Sequence, residues 1–241
     1  RLETAAVDMV INMASLKTSG VAYTLTSDTA MEATLTYNLT GAASADVITT
    51  SSGNDTIAGG GGADTITGGA GNDTIDGGAG DTDVIMISTN NGTDSITVVI
   101  TQDKIDVANT GNTTDGTFAE LAVANDGGTT LTTKTLSSTN TTLYVIDTDA
   151  TGLGNNNASA IADFTSMANV ATFLNTGDGI TSSNTVGKID YFAITDGSIT
   201  TKTYLYKVVD AGGNTDITAG DLSLIADISH DAGAMVVGDF T

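Results

Sequence analysis

Residues 53–80 read GNDTIAGGGGADTITGGAGNDTIDGGAG, which is the unit Gly-Gly-x-Gly-x-Asp-x-Ile-x written repeatedly with a period of nine. Asp46, Asp55, Asp64 and Asp73 stand nine apart, and Asp83 follows after one inserted residue. Two positions behind each Asp comes an isoleucine: Ile48, Ile57, Ile66, Ile75 and Ile85. Two arrays that shift together across one insertion belong to a single periodic structure. A flexible linker mixes Gly with Ser and carries no phased Asp or Ile. The linker reading is therefore set aside.

This nonapeptide resembles the calcium-binding repeat of RTX proteins, whose fold is a parallel β-roll. The resemblance divides each unit into a six-residue turn and a three-residue strand, with two units per coil. The turn demands backbone torsions and close carbonyl approaches that Gly reaches cheaply, at Gly53, Gly59, Gly60, Gly62, Gly68, Gly69, Gly71, Gly77, Gly78 and Gly80. Period-two alternation turns the isoleucine inward between two facing sheets. Asp46 and Asp64 then stack on one edge, and Asp55 and Asp73 on the other. Between stacked turns lies a cage of carbonyl and carboxylate oxygens, which suits a hard cation taking 6–8 oxygens, so several Ca²⁺ ions are expected. Asp83 and the degenerate repeat Asn91-Gly92-Thr93-Asp94 continue the ladder, while the turn Gly41-Ala42-Ala43-Ser44 is imperfect. The stretch Asp103-Lys104-Ile105-Asp106-Val107 is similar to the segment that closes many RTX rolls.

The 241 residues carry a net charge of −22, and 26 of the 29 acidic residues are Asp. Short Asp side chains favour turns and metal loops over a general solvated face. So many carboxylates repel one another unless divalent cations neutralise them. The lack of a basic patch argues against nucleic acid as a partner. There is no Cys, which removes disulfide and thiol chemistry, and no apolar run long enough to span a membrane. The chain begins at Arg1, without a start methionine or signal peptide, and reads as a fragment or processed product. An unpaired first rung would be a sticky edge, so a longer solenoid is expected to precede it.

Three segments are expected. Residues 1–40 alternate apolar residues with Thr or Ser and read as the end of a Thr-rich β-solenoid. Residues 41–107 are the parallel β-roll. Residues 108–241 are a β-rich unit, an antiparallel β-sandwich or curled sheet holding one helix, with strands at 188–195, 202–209, 222–228 and 234–240. Its amphipathic helix is expected from about Ser159 to Asn175, with Ile161, Phe164, Met167, Val170, Ala171 and Leu174 as a core-facing stripe. A second short helix is expected at Thr117–Ala124. The fold class is thus all-β with one or two short helices.

One loop offers a further metal site. In Asp210–Asp221, oxygens of Asp210, Asn214, Asp216 and Asp221 fall at the first, fifth, seventh and twelfth positions, near the spacing of a calcium loop. Thr215 replaces the glycine that such a loop needs at its sixth position, and the flanks are strands. A plain hairpin loop accounts for this stretch equally well.

Beyond the repeats, the tail resembles the carboxy-terminal region of Gram-negative surface-layer proteins exported by type I secretion. The residues that carry this are Leu2-Glu3-Thr4, Asp103–Val107, Tyr204–Asp210 and the final Val237-Gly238-Asp239-Phe240-Thr241. The resemblance implies an uncleaved carboxy-terminal secretion signal and folding on extracellular calcium. It also implies a chain that packs with copies of itself, with cell-surface polysaccharide bound through parts outside this chain. Asp126, Asp147 and Asp149 are candidate bridging carboxylates for such contacts. No enzyme is expected: His230 is the single histidine and reads as a surface turn residue, and no Gly-x-Ser-x-Gly elbow exists. A catalytic domain preceding Arg1, with this chain as its secretion and folding module, is the alternative. An ice-binding solenoid is disfavoured because Thr24–Thr26 and Thr34–Thr36 do not share the nine-residue register.

Overall fold

The computed structural model describes residues 9–12, 22–24, 36–87, 92–107, 134–135, 143–146, 161, 163–175, 180–181, 185–196, 201–212, 216–231, 235 and 239–240. The chain divides into two units. The first comprises residues 1–111, 226–231 and 238–241, and the second residues 112–225 and 232–237.

The first unit is built from short parallel strands that alternate between two sheets. They are β1 (Met9–Asn12), β2 (Ala22–Thr24), β3 (Tyr37–Thr40), β4 (Val47–Thr49), β5 (Thr56–Ala58), β6 (Thr65–Thr67), β7 (Thr74–Asp76), β8 (Val84–Met86), β9 (Asp94–Val98) and β10 (Lys104–Asp106). Odd strands pair in the order β1-β3-β5-β7-β9 and even strands in the order β2-β4-β6-β8-β10, all parallel. Each nonapeptide thus supplies one strand, and two make one coil.

The isoleucines explain the register. Ile57, Ile75 and Ile96 lie level in one sheet, and Ile48, Ile66, Ile85 and Ile105 in the other. All seven are at most 1% exposed, so one side chain per nonapeptide fills the interior. The insertion before Asp83 is absorbed outside the ladder: Asp81 and Thr82 are exposed, while Val84 still pairs with Thr65. The Thr-rich rungs before residue 41 join the same two sheets through β1, β2 and β3.

The carboxy-terminal residues of this unit cover the last rungs. Ala226–His230 runs parallel to β9, with Ile228 level with Ile96. Phe240 bridges to Ile105 in β10, and Asp239 lies 3.8 Å from the Lys104 ammonium. One expectation is corrected here. His230 is not an exposed turn residue: it is 7% exposed at the end of a strand, level with Val98, because residues 226–230 extend the roll's sheet. Of the strand expected at 234–240, the described residues are Met235, Asp239 and Phe240, and their one pairing is the Phe240 bridge.

The second unit holds β11 (Lys134–Thr135), β12 (Leu143–Ile146), α1 (Met167–Asn175), β13 (Ile180–Thr181), β14 (Ile189–Thr195), β15 (Lys202–Val209) and the first four residues of β16 (Leu222–His230). β12 pairs parallel with β14, β14 antiparallel with β15, and β15 neighbours β16. β11 and β13 form a separate parallel pair. Val170, Ala171 and Leu174 of α1 share one core with Tyr144, Phe192 and Tyr206 of the sheet. This is a sheet holding one helix.

The helix is shorter than the expected span from Ser159. The Asp163 carboxylate accepts hydrogen bonds from the Thr165 amide (2.8 Å) and hydroxyl (2.6 Å), a local turn that competes with helix. The Ser166 carbonyl then accepts the Asn169 and Val170 amides and opens the helix. Ile161 and Phe164 still reach the core, from the turn rather than from the helix. The helix expected at Thr117–Ala124 lies outside the described residues.

Candidate metal centre

The aspartates of the roll form two hydrogen-bonded ladders, one on each edge. On the first, the Asp64 carboxylate accepts the Asp46 amide (2.7 Å), Asp83 accepts that of Asp64 (2.8 Å), and Asp103 accepts that of Asp83 (3.0 Å). On the second, Asp55 accepts the Tyr37 amide (2.8 Å), Asp73 that of Asp55 (2.9 Å), and Asp94 that of Asp73 (3.0 Å). In each case one oxygen, Oδ1, is bound to the coil before. These carboxylates are nearly inaccessible, at 1–6% exposure.

The second oxygen is the informative one. Oδ2 of Asp64 and Asp73 is buried with no hydrogen-bond partner, as is Oδ1 of Asp46. A buried carboxylate oxygen without a donor is costly, and a cation removes that cost. The surroundings supply further oxygens. A Cβ on Gly59 would strike both the Gly77 carbonyl and Asp64 Oδ2, and one on Gly68 would strike Asp73 Oδ2. These glycines keep carbonyl and carboxylate oxygens close together, which is the donor set that calcium takes. At Gly60 the reason for glycine differs: φ is +106°, a conformation that L side chains rarely adopt. Among the described residues no three His, Cys, Asp or Glu side chains gather at one point, so any ion here draws on carbonyls as well as carboxylates. The residues present fit calcium, with Asp46, Asp64 and Asp73 supplying free oxygens, while the Asp55 carboxylate has the Thr50 hydroxyl beside it.

Burial also governs their acidity. Desolvation raises Asp73 to about 7, and Asp64, Asp83 and Asp94 to about 6, with neighbouring aspartates adding to the rise at Asp64, Asp73 and Asp83. Asp55 is raised by the same burial and drawn partly back by the Tyr37 amide and the Thr50 hydroxyl.

The ends of the first ladder are closed differently. Asp46 Oδ2 accepts the Ala42 amide (2.7 Å), and Asp103 Oδ2 accepts the Val99 amide (2.6 Å). Both bonds reach four residues back within one turn. Asp103 was not among the site residues expected from sequence, although its place six residues into a degenerate repeat carries the signal. A second, exposed ladder was also missed: Asn54 Oδ1 accepts the Asn72 amide (2.8 Å), and Asn72 Oδ1 accepts that of Thr93 (2.9 Å). Its sequence trace is the Asn that precedes Asp55 and Asp73.

Residues 38–66 and 49–84 match the family model of the RTX calcium-binding nonapeptide repeat. This stretch of the chain is built of RTX repeats. No curated protein and no solved structure matches the chain. The RTX match covers the strands β4 to β7 in full and the aspartates Asp46 to Asp83; Asp94 and Asp103 extend the ladders beyond it.

The loop at 210–221 is arranged otherwise. Asp210 accepts the Gly212 amide (2.7 Å) through one oxygen and the Thr185 amide (3.0 Å) through the other. Asp221 accepts the Ala211 amide (3.2 Å), and its other oxygen takes the Thr218 amide (2.8 Å) and hydroxyl (2.7 Å). Asp216 is exposed, and Asn214 lies outside the described residues. Asp126, Asp147 and Asp149 also lie outside them. Among the described residues no helix is long and apolar enough to cross a membrane.

Proposed function

We propose that this chain is a structural, non-enzymatic region of an exported surface-layer protein, which folds on extracellular calcium and assembles with copies of itself. The observation that carries the calcium part is the set of buried, donor-less oxygens on Asp46, Asp64 and Asp73. One buried isoleucine is a small apolar return for the nine residues that each repeat must order. Bound ions supply part of that shortfall, so binding free energy becomes folding free energy. Extracellular calcium modules work near 10⁻⁴–10⁻³ M by order of magnitude, so the roll stays unfolded in a low-calcium cytoplasm and folds after passage through a type I secretion machinery.

The assembly part is supported by composition. A net charge of −22 with seven Lys and Arg keeps two such bodies apart until divalent cations neutralise or bridge facing carboxylates. Repeated self-contacts are then the expected partner interface, with any polysaccharide anchor outside this chain. The test is millimolar calcium added to folded protein, with magnesium at equal ionic strength as control. Sheets or large assemblies with calcium alone support the surface-layer reading. A monomer throughout the titration replaces it with the alternative, a secretion and folding module of another exported RTX protein.

A further inference from the structure

One departure from the repeat falls inside a turn of the second edge. The repeat 50–58 begins Thr50-Ser51-Ser52 where the next two repeats begin Gly59-Gly60 and Gly68-Gly69. Thr50 nevertheless holds the backbone place of those first glycines. Its amide donates to the Thr67 carbonyl (3.0 Å), as Gly41 donates to Ala58 (2.7 Å) and Gly59 to Asp76 (2.8 Å), in each case seventeen residues ahead.

What a side chain meets at that place is known from the glycines. A Cβ on Gly41 would strike the Gly59 carbonyl and approach Asp46 Oδ2 to 3.0 Å, and one on Gly59 would strike the Gly77 carbonyl and Asp64 Oδ2. The space there lies between the carbonyl of the next coil and the carboxylate of the residue's own turn. At Thr50 a real side chain occupies it. Thr50 is 4% exposed, and its hydroxyl donates to the Gly68 carbonyl at 2.5 Å. A carbonyl that would face an ion instead receives a proton.

We infer that the Thr50 side chain plugs the cage between the turns 50–55 and 68–73, so that this cage takes no calcium and the two edges of the roll load unequally. The inference rests on the calcium reading above. The hydroxyl donates to the Gly68 carbonyl and lies against the Asp55 carboxylate, so a cation at the same carbonyl would have to break that bond and displace the hydroxyl. The plug also gives this rung a link between coils that exists without metal.

The experiment counts calcium per folded chain by native mass spectrometry and by calorimetry, for the full chain and for two variants. Thr50→Gly reopens the cage and is expected to bind one ion more than the natural chain. Thr50→Val keeps the bulk without the hydroxyl and is expected to bind the same number. An unchanged or lower count in Thr50→Gly, or one ion fewer in Thr50→Val, overturns the plug and makes Thr50 a ligand or a bystander. If the natural chain binds no calcium at all, the calcium reading falls and this inference falls with it. A plug that fails alone leaves the natural chain binding ions, so the two failures are told apart.

Discussion

The roll and the second unit hold themselves together by opposite means. In the roll, each nonapeptide buries one isoleucine and one aspartate, and its polar interior is tied by carboxylate-to-amide bonds between coils. The second unit buries an apolar cluster in which Tyr144 stacks on Phe192 (5.2 Å between centroids) and Phe164 on Tyr204 (4.8 Å). Polar ties at that core close within the protein: the Tyr206 hydroxyl donates to the Phe164 carbonyl (2.7 Å), and the Asn175 amide side chain donates to the Ile217 carbonyl (2.6 Å). A core of the second kind is complete when the chain folds, whereas the first kind has oxygens still waiting for a partner. The stability of the one is therefore set by solvent composition and that of the other by side-chain packing.

Chelation should separate them most widely. With excess chelator, hydrogen exchange at the amides of Asp46, Asp55, Asp64 and Asp73 is expected to lose its protection entirely. The amides of β14 and β15 should keep theirs. Equal loss in both regions would break the comparison.

Substitutions sharpen it. Phe192→Ala removes a fully buried ring and should cost about 3–5 kcal/mol in the second unit, at any calcium concentration. Asp64→Ala removes both the acceptor for the Asp46 amide and a donor-less oxygen, so its damage should appear as a higher calcium midpoint for folding. It should exceed that of Asp103→Ala, whose two oxygens already hold amides at the end of the ladder. Denaturant titrations at several calcium concentrations distinguish the two patterns.

Acidity gives a change of sign. Burial raises Asp64, Asp83 and Asp94 to about 6 and Asp73 to about 7, above the ordinary 3.8. A raised carboxyl pKa contributes stability that is full below about 3.8 and lost as pH climbs through 6–7. Without calcium, lowering the pH from 7.5 towards 4.5 (both on the order of the values at which carboxyls change state) should therefore increase the strand signal of the roll. With calcium the ion needs ionised carboxylates, and the same acidification should weaken binding. Circular dichroism across both series checks the opposed slopes.

The smallest effect is expected at the loop of the second unit. Asp221→Ala leaves the Ala211 and Thr218 amides without their acceptor and should cost about 1–3 kcal/mol, with the calcium count unchanged. A lower ion count would assign that loop a metal.

The period of nine was enough to define the roll, because each repeat is a local unit whose neighbour in space lies one coil away and whose side chains face in or out by alternation. Register, isoleucine interior and stacked aspartates all follow from that one number, and the inserted residue before Asp83 changed none of them. The second unit has no period, so its reading rested on propensity and failed where local hydrogen bonds intervened. Asp163 shortened the helix in this way. Only the tertiary structure placed Ala226–His230 beside β9, since a contact about 130 residues distant leaves no local trace. It also decided what Thr50 does. In sequence Thr50 is one departure from the repeat among several; in space its hydroxyl meets the Gly68 carbonyl, because coiling brings residues eighteen apart into contact.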